Sequence, residues 1–547
     1  MKKKRYFFYL TLILLLMNAC TTPKQPVDLI VYHAKIYTVD SAFTMATAFA
    51  VNQGKFVAVG QDADIMDNYS GKKEVDALGK PIYPGFNDGH SHFLGYGLWL
   101  TQYANLVGKP SFNALLEELK QFHAENPDRW ILGRGWDQNL WENKSFPDKE
   151  ELDVLFPNTP VVCIRIDGHA VLANSAALTI ARIDENTAVA GGEIIKVKGE
   201  VTGVLLDNAA DLMKGFIPEL TQEQKVNALL LAQKNCFEQG LTTVTDAGLD
   251  KDDILLIDSL QKEGQLKIKV YAMISPTQEN LEYFLPKGPL HNDRLTVSSI
   301  KLYADGALGS RGALLIEPYA DDITNSGLQM ESAEYYDSVC QLAYNNGFQV
   351  NTHAIGDQAN RLVLDTYGKV LQTKNNLRWR IEHAQIVHPA DMDKFERYSI
   401  IPSIQSTHCT SDMDWADERL GKERIATAYP YHELLLQNGW LVNGTDFPIE
   451  DIRPLYTFYA SISRKHLNGE PKAGFQMENA LSRKESLYSI TIWPAMGSFD
   501  EHKKGSIETG KEADFVMLDK DIMEIPEKEM TKVRAMGTWV NGELTFE

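Results

Sequence analysis

The segment PGFNDGHSH, residues 84–92, carries two histidines at positions i and i+2. Residues two apart on an extended strand point to the same side, so His90 and His92 can reach one ion. This segment therefore predicts a strand that delivers two metal ligands at its C-terminal end.

Seven further runs are almost continuously apolar, as expected for parallel strands that are covered on both faces. They are VVCIRIDGH (161–169), LTTVTDAG (241–248), SSIKLYADG (298–306), FQVNTHAIGD (348–357), RWRIEHAQ (378–385), IIPSIQSTH (400–408) and WLVNGTDFP (440–448). Helical stretches that close at a glycine precede several of them; residues 221–239 open with the capping box Thr221-x-x-Gln224 and end at Gly240. Eight strands alternating with helices predict an α/β fold with a (β/α)8 barrel of the TIM type.

Polar side chains fall within or at the end of most of these runs. In such a barrel the C-terminal ends of the strands are where catalytic groups converge. Imidazoles and a carboxylate suit zinc, and also manganese or iron. The residues concerned are His169 at the end of the second run, Lys301 in the fourth, His353, His383, His408, which we expect to line the pocket rather than to bind metal, and Asp446.

The two chain ends have a different sequence pattern. They contain short strand-like runs of alternating apolar and polar residues, with turn signals at Gln53-Gly54 and Asn541-Gly542. They predict one composite β-sandwich domain built from residues 27–84 and 499–547. The barrel would then occupy residues 85–498. An insertion at about residues 95–220 would form a lid or pocket wall over the barrel.

Composition narrows the class of protein. The chain has 547 residues, 44% of them hydrophobic, and a formal net charge of −20 from 74 acidic and 54 basic residues. This profile belongs to a globular protein and excludes a disordered, collagen-like or multi-span membrane protein. So acidic a chain is a poor ligand for nucleic acid, whose phosphates repel it.

The N-terminal sequence is typical of a targeting segment. Four basic residues precede the apolar run 6–17, and Cys20 follows a small residue. This pattern resembles a bacterial lipoprotein signal at residues 1–19, with lipidation at Cys20 and a polar tether at 20–26. Ordinary secretion and an uncleaved anchor are the alternatives. We therefore expect an extracytoplasmic protein, lipid-anchored to a bacterial membrane on its periplasmic or cell-surface side.

The ordered set of motifs resembles the amidohydrolase superfamily over nearly all of the mature chain. PGFNDGHSH, the single histidines of the fifth and sixth runs, the aspartate of the eighth and the tail GSIETGKEADFVMLD (505–519) carry the resemblance. A narrower branch, the YtcJ-like group related to N-substituted formamide deformylase, fits better still. Its motifs are Asp167-Gly168-His169, Asn174-Ser175, GEVTGVLLD (199–207), Lys301-x-x-x-Asp305-Gly306 and Gly-Ser-Arg at 309–311.

The resemblance implies roles for individual residues. His90, His92 and Asp446 would hold one divalent metal, His353 and His383 a second, and a carbamylated Lys301 would bridge the two. A one-metal site and an unmodified Lys301 remain alternatives. Asp446 would act as general base and acid, and His169 would stabilise the oxyanion. Glu382 and Asp305 would orient the ligands, and Arg311 is either an anion contact or a solvated loop residue.

The function implied is hydrolysis of a non-peptide C–N bond by a metal-activated hydroxide, with zinc as the expected metal. The bond would be a linear or cyclic amide, with an N-substituted formamide as one case. Deamination or ester cleavage by the same site is one alternative, and a non-catalytic surface lipoprotein that binds a small molecule is another. The expected partners are a small amide-type substrate and, through the lipid only, a membrane; nucleic acid is not expected, and a homodimer is left open.

Overall fold

The β domain begins the chain in the computed structural model, which describes residues 23–127 and 129–547. Its first strands are β1 (Gln25–Tyr32), β2 (Lys35–Tyr37), β3 (Met45–Ala46), β4 (Ala48–Asn52), β5 (Lys55–Gly60), β6 (Tyr69–Asp76) and β7 (Pro81–Pro84). Gln53 and Gly54, with φ of 50° and 75°, form the hairpin turn between the antiparallel β4 and β5. β1 starts inside the predicted tether, because Gln25 and Pro26 pair with β6. The predicted signal segment 1–19 and Cys20 lie outside the described residues.

The first barrel strand, β8 (Phe86–Ser91), is followed by a long insertion with a sheet of its own. That sheet contains β9 (Ala104–Asn105), β10 (Ile131–Trp136), β11 (Val161–Arg165), β12 (Ala170–Ala173), β13 (Gly192–Val197) and β14 (Glu200–Asp207). Its strand order is β13-β14-β12-β11-β10-β9. Val161 and Cys163 of β11 face one apolar cluster, and Val162 and Ile164 face another, so the sheet is covered on both sides.

The other barrel strands run from residue 241 to residue 443. They are β15 (Leu241–Leu249), β16 (Lys269–Ile274), β18 (Leu295–Tyr303), β19 (Gln349–Ala354), β20 (Arg380–His383), β21 (Ile401–Ile404) and β22 (Val442–Asn443), with the short β17 (Leu290–His291) antiparallel to β18. The parallel order is β8-β15-β16-β18-β19-β20-β21-β22. The segment after β22 returns to β8, where the Asp446 N–H donates to the His90 carbonyl at 2.8 Å. The predicted α/β fold with a (β/α)8 barrel is confirmed.

One predicted barrel strand is wrong. Residues 161–165 form β11 of the insertion sheet, and the barrel strand between β15 and β18 is β16, which is not among the predicted strands. Both segments are short apolar runs that are buried on two faces. The pattern of apolar residues indicates this burial but does not determine which sheet a strand joins. His169 therefore lies in the turn between β11 and β12 and not on the barrel.

Helices surround the barrel and join the strands of the other sheets. The helix Gln222–Glu238 begins with both hydrogen bonds of the predicted capping box. The α-helices of the described residues are Asp62–Asn68, Phe93–Gln102, Phe112–Glu125, Glu150–Leu155, Ser175–Ala181, Asn208–Lys214, Gln222–Glu238, Lys251–Lys262, Gln278–Phe284, Ala333–Asn345, Asp357–Leu371, Asp393–Tyr398, Ser406–Asp412, Ala416–Arg424, Tyr431–Asn438, Pro454–Ser463, Arg483–Ser489, Ile492–Gly497 and Glu527–Met530. Within the described residues, none of them is both long and apolar enough to cross a bilayer.

The C-terminus completes the β domain with β23 (Phe515–Leu518), β24 (Ala535–Val540) and β25 (Glu543–Phe546). These strands join β7, β2 and β3 in one sheet, and β6, β1, β4 and β5 form the other. Phe49 and Phe56 from the N-terminal part pack with Phe515 and Trp539 between the two sheets. The two chain ends thus share one core.

Candidate metal centre and active-site cavity

The barrel strands bring the predicted ligands to one mouth. His90 lies in β8 with His92 just after it, Lys301 in β18, His353 in β19 and His383 at the end of β20, while Asp446 follows β22. The register of β19 and β20 sets His353 opposite Glu382, so these polar groups emerge at one level. All six predicted ligands line one cavity of about 530 Å³.

The shortest separations centre on Asp446. Its Oδ1 lies 3.3 Å from His92 Nε2 and 3.7 Å from His90 Nε2. The ring centroids of His90 and His383 are 5.0 Å apart, and those of His383 and His353 are 4.5 Å apart. One ligand atom each from His90, His383 and Asp446 falls within 4.8 Å of the other two. His90 and Asp446 were predicted to bind the first metal, whereas His383 was predicted to bind the second.

The hydrogen bonding of these residues tests whether a cation fits. His90 Nε2, His383 Nδ1 and Asp446 Oδ1 are buried and have no hydrogen-bond partner among the described residues. Buried polar atoms without partners are costly, so such a cluster needs a further occupant. Two imidazole nitrogens and a carboxylate oxygen are ligands of a divalent metal, and these residues therefore fit one.

Three histidines of the mouth, His90, His353 and His383, are held in the neutral form that binds metal. Burial lowers the pKa of His90 to about 4, with the charge of Lys301 adding to the effect. Burial also lowers the pKa of His353 and His383 well below the usual value. A neutral imidazole keeps a lone pair for a cation. Burial opposes ionisation of Asp446, but the close contact with His92 and the neighbouring His90 imidazole hold its pKa below the usual range.

A buried carboxylate fixes the orientation of His90. The Nδ1 of His90 donates to Glu382, whose carboxylate also accepts bonds from Arg380 at 2.7 and 2.8 Å and from the Ser403 hydroxyl at 2.6 Å. Burial works against the charge of Glu382, but Arg380 and His90 keep its pKa well below the usual range. An ionised carboxylate only accepts, so Nδ1 carries the proton and Nε2 presents its lone pair to the cavity.

Lys301 is buried at the centre of the barrel. The alternation of β18 sends Ile300 and Leu302 into the apolar core, whereas Lys301 and Tyr303 line the cavity. Lys301 is 1% exposed, and burial lowers its pKa to about 8. About a tenth of it is then the neutral amine at pH 7.

Two ligand residues have backbone conformations that are rare for residues other than glycine. The φ of His383 is 73° and that of Asp446 is 60°. Such conformations cost free energy and persist where the surrounding structure enforces them, often at active sites. Asp88 helps to enforce that of Asp446: it accepts hydrogen bonds from the Thr445 hydroxyl at 2.7 Å and the His90 N–H at 3.1 Å, which ties β8 to the segment after β22.

The insertion contributes His169 to the same cavity. The turn that follows β11 places the His169 ring 5.0 Å from the His353 ring. His169 Nδ1 contacts Asp207 Oδ1 at 2.9 Å. Burial disfavours the charged imidazolium, but the hydrogen bond and charge of Asp207 outweigh burial and raise the pKa of His169.

The wall also contains Arg165, which was not predicted, and His408, which was predicted to line the pocket. Arg165 of β11 lines the cavity and is bound by Asp137 at 2.6 Å and Asp167 at 2.5 Å. His408 also lines the cavity, with Nε2 at 3.6 Å from Asp446 Oδ2. Arg311 is not among the lining residues and pairs with Asp321 at 2.9 Å, so its alternative as a loop residue is the one observed. Arg165 gave no sequence signal beyond an arginine within an apolar run.

A barrel of eight parallel strands with histidines and an aspartate at its C-terminal mouth defines a metal-dependent hydrolase. The chain belongs to the amidohydrolase family, whose model matches residues 73–546. The predicted family is confirmed, and the family together with the His/Asp cluster identifies the chain as a metal-dependent hydrolase.

Relatives cover nearly the whole chain. LONG AFTER FAR-RED 3 of Arabidopsis thaliana is 32% identical, over 95% of this chain and 91% of its own length. YtcJ of Bacillus subtilis, named as an amidohydrolase, is 30% identical over 94% and 98%. The N-substituted formamide deformylase of Arthrobacter pascens is 25% identical over 95% and 98%. A crystal structure of a metal-dependent hydrolase from Pyrococcus horikoshii superposes with a TM-score of 0.75 at 28% identity, covering 91% of this chain and 99% of that one.

Proposed function

We propose that this chain hydrolyses a carbon–nitrogen bond other than a peptide bond, in a linear or cyclic amide, with zinc as its metal. The observation that carries the proposal is the trio of unpartnered ligand atoms on His90, His383 and Asp446 in the wall of the metal cavity. An N-substituted formamide is one candidate substrate, because a relative at 25% identity is named for that activity. Nitrogen and oxygen ligands in this mixture suit zinc.

Different residues around the site have different roles in the proposed reaction. A bound divalent metal supplies Lewis-acid chemistry, making water nucleophilic near neutral pH and polarising a carbonyl. Asp446 takes the proton of the attacking water and passes it to the leaving nitrogen. His169, whose proton is stabilised by Asp207, donates a hydrogen bond to the oxygen that gains negative charge. His90, His92, His353, His383 and Asp446 would hold the metal, and Glu382 keeps His90 in the required tautomer.

The proposed site includes Lys301 in a carbamylated form. Its neutral amine adds to carbon dioxide with formation of an N–C bond, and loss of a proton leaves an anion that offers two oxygens to metal. The lowered pKa of about 8 makes the neutral amine available. Protein prepared in ¹³C-bicarbonate should show one carbamate carbon signal that Lys301→Met lacks; an identical spectrum from both proteins would reject the carbamate.

Metal analysis and a substrate panel test the function. The panel contains N-alkyl formamides, N-acyl amines, cyclic amides, aminopurines and esters, with amine, ammonia and alcohol measured as separate products. We expect amine release from an amide, lost on chelation and in Asp446→Asn. Ammonia from an aminopurine or alcohol from an ester alone would favour the deaminase or the esterase. Stoichiometric metal with no turnover of any class would favour a binding protein.

Localisation and partners form a separate part of the proposal. The basic and apolar N-terminus that ends at Cys20 supports a lipid-anchored protein outside the cytoplasm. The membrane contact would be the lipid alone, and a homodimer is compatible with it. Palmitate labelling that disappears in Cys20→Ala, and light scattering of the protein without residues 1–20, would test the anchor and the oligomeric state.

A further inference from the structure

A second cavity of about 360 Å³ adjoins the metal cavity. The two share the walls His92, Asp167, His169 and Tyr303. Most of the remaining wall comes from the insertion, including Tyr103, just before β9, and Arg134 of β10. A substrate whose scissile bond lies at the metal centre can therefore extend into this second space.

Most charged groups that line the second cavity are already engaged. Asp167 binds Arg165 at 2.5 Å, and Lys214 binds Asp211 at 2.7 Å and the Gly168 carbonyl at 2.9 Å. Asp207 binds His169 through Oδ1. Its Oδ2 packs against Gly312, where an added Cβ would lie 2.7 Å away, and has no hydrogen-bond partner among the described residues. Among these groups no cation is left to pair with an anionic substrate, because Lys214 and His169 both contact acids.

Arg134 is the exception. Its Nε is buried without a partner, and its guanidinium makes no hydrogen bond or ion pair with any residue in the described part of the chain. A Cβ added to Gly168 would lie 3.8 and 3.9 Å from the two terminal nitrogens. The guanidinium therefore sits beside the turn that carries His169. A half-buried guanidinium that has no protein partner and lines a cavity is suited to bind a ligand anion.

We propose that the substrate carries a carboxylate, which Arg134 binds in the second cavity while the scissile bond lies at the metal centre. The planar fork of arginine matches a carboxylate through two parallel hydrogen bonds. A monoanion suits this space better than a phosphate dianion, because Asp167, Asp207 and Asp211 line the same walls. The inference rests on the proposed amide hydrolysis and adds a substrate class to it.

Paired substrates test the inference. The series contains N-acetyl derivatives of glycine, β-alanine and γ-aminobutyrate and the monoanilides of succinate and glutarate, each beside its neutral carboxamide. We expect the acid to exceed its carboxamide in kcat/KM by about 10- to 100-fold for at least one length. Arg134→Gln should reduce this ratio to near one, and Arg134→Lys should restore part of it.

Arg182→Gln is the matched control, because it removes the same charge from an exposed position of the same insertion. It should keep the wild-type ratio, and all variants should keep the wild-type metal content and circular dichroism. A wild-type ratio near one, or a ratio that Arg134→Gln leaves intact, would overturn the carboxylate site while amide hydrolysis stands.

Binding separates this inference from the hydrolase proposal. If nothing in either panel is hydrolysed, calorimetry with hippurate and hippuramide decides the carboxylate site alone. We expect hippurate to bind the wild type and to bind Arg134→Gln at least about tenfold more weakly, with hippuramide unaffected. Equal affinity of the two proteins for hippurate, or no binding to the wild type, would reject the site.

Discussion

At the scale of single residues, Glu382 is the carboxylate that fixes the metal-binding form of His90. We expect Glu382→Gln to weaken metal binding by about 10- to 100-fold, because the amide no longer fixes the imidazole tautomer. Metal retained after dialysis against graded chelator measures the change. Glu396→Gln, an exposed site, is the control. Wild-type metal retention in Glu382→Gln would refute the role.

His169 allows the chemistry to be separated from metal binding. His169→Asn should lower kcat by about 10²- to 10³-fold, the usual effect of losing one oxyanion donor, with metal content unchanged. His169 lies outside the trio of His90, His383 and Asp446, which supports this separation. His502→Asn, a surface variant, controls for the loss of an imidazole. A parallel loss of metal and activity would instead place His169 among the ligands.

Asp412 makes stability depend on pH. Burial raises its pKa to about 7, although the Tyr429 hydroxyl donates to it at 2.9 Å. The folded state therefore keeps a proton that the unfolded state releases near pH 4, and this residue lowers stability as the pH rises from about 4 to about 7. Asp412→Asn should gain in Tm relative to the wild type over that range and show a constant difference above it. A difference independent of pH would contradict the assignment.

At the scale of elements, glycine allows the barrel to close. A Cβ on Gly444 would lie 2.4 Å from the His90 nitrogen, and one on Gly89 would lie 2.8 Å from the Asn443 carbonyl oxygen. Gly444→Ala should therefore separate the strands and cost about 1–3 kcal/mol, seen as a lower Tm and a weaker metal site. In Gly60→Ala the added methyl meets nothing within 4 Å, so its Tm should stay unchanged. Equal Tm values for the two variants would argue against tight closure.

The elements show what local sequence can determine. Asn541-Gly542 and Gln53-Gly54 produce the predicted hairpins, because positive φ at such pairs is a local property. The prediction that β11 belongs to the barrel is wrong, and β16 was not predicted as a barrel strand. Both are apolar runs, and the sheet that each joins depends on segments far away in the chain. An apolar run indicates that a strand is buried. Pairing with distant segments of the chain decides which sheet that strand joins.

At the scale of the whole molecule, Lys269 joins the barrel to the β domain. Its ammonium group is 1% exposed and contacts Asp514, Glu512 at 2.5 Å and the Asn541 side chain at 2.7 Å. Lys269→Met leaves these acids without a cation and should cost about 3–5 kcal/mol in urea unfolding.

The surface pair of Lys267 and Glu543, at 2.6 Å, provides the matched comparison two residues away. Lys267→Met should cost no more than about 1 kcal/mol, because water screens an exposed pair. Similar costs for the two lysine variants would show that the interface does not depend on the buried contact.

The sequence by itself determined the barrel class, the β domain shared by the two chain ends and the histidines and aspartate of the mouth. It could do so because apolar runs with polar ends follow from burial along each strand. Only the tertiary structure decided that His169 comes from the insertion, that Asp88 ties β8 to the segment after β22 and that Arg134 is left unpaired beside the site. The physical reason is that these properties depend on contacts between distant segments, which the pattern of any one segment does not contain.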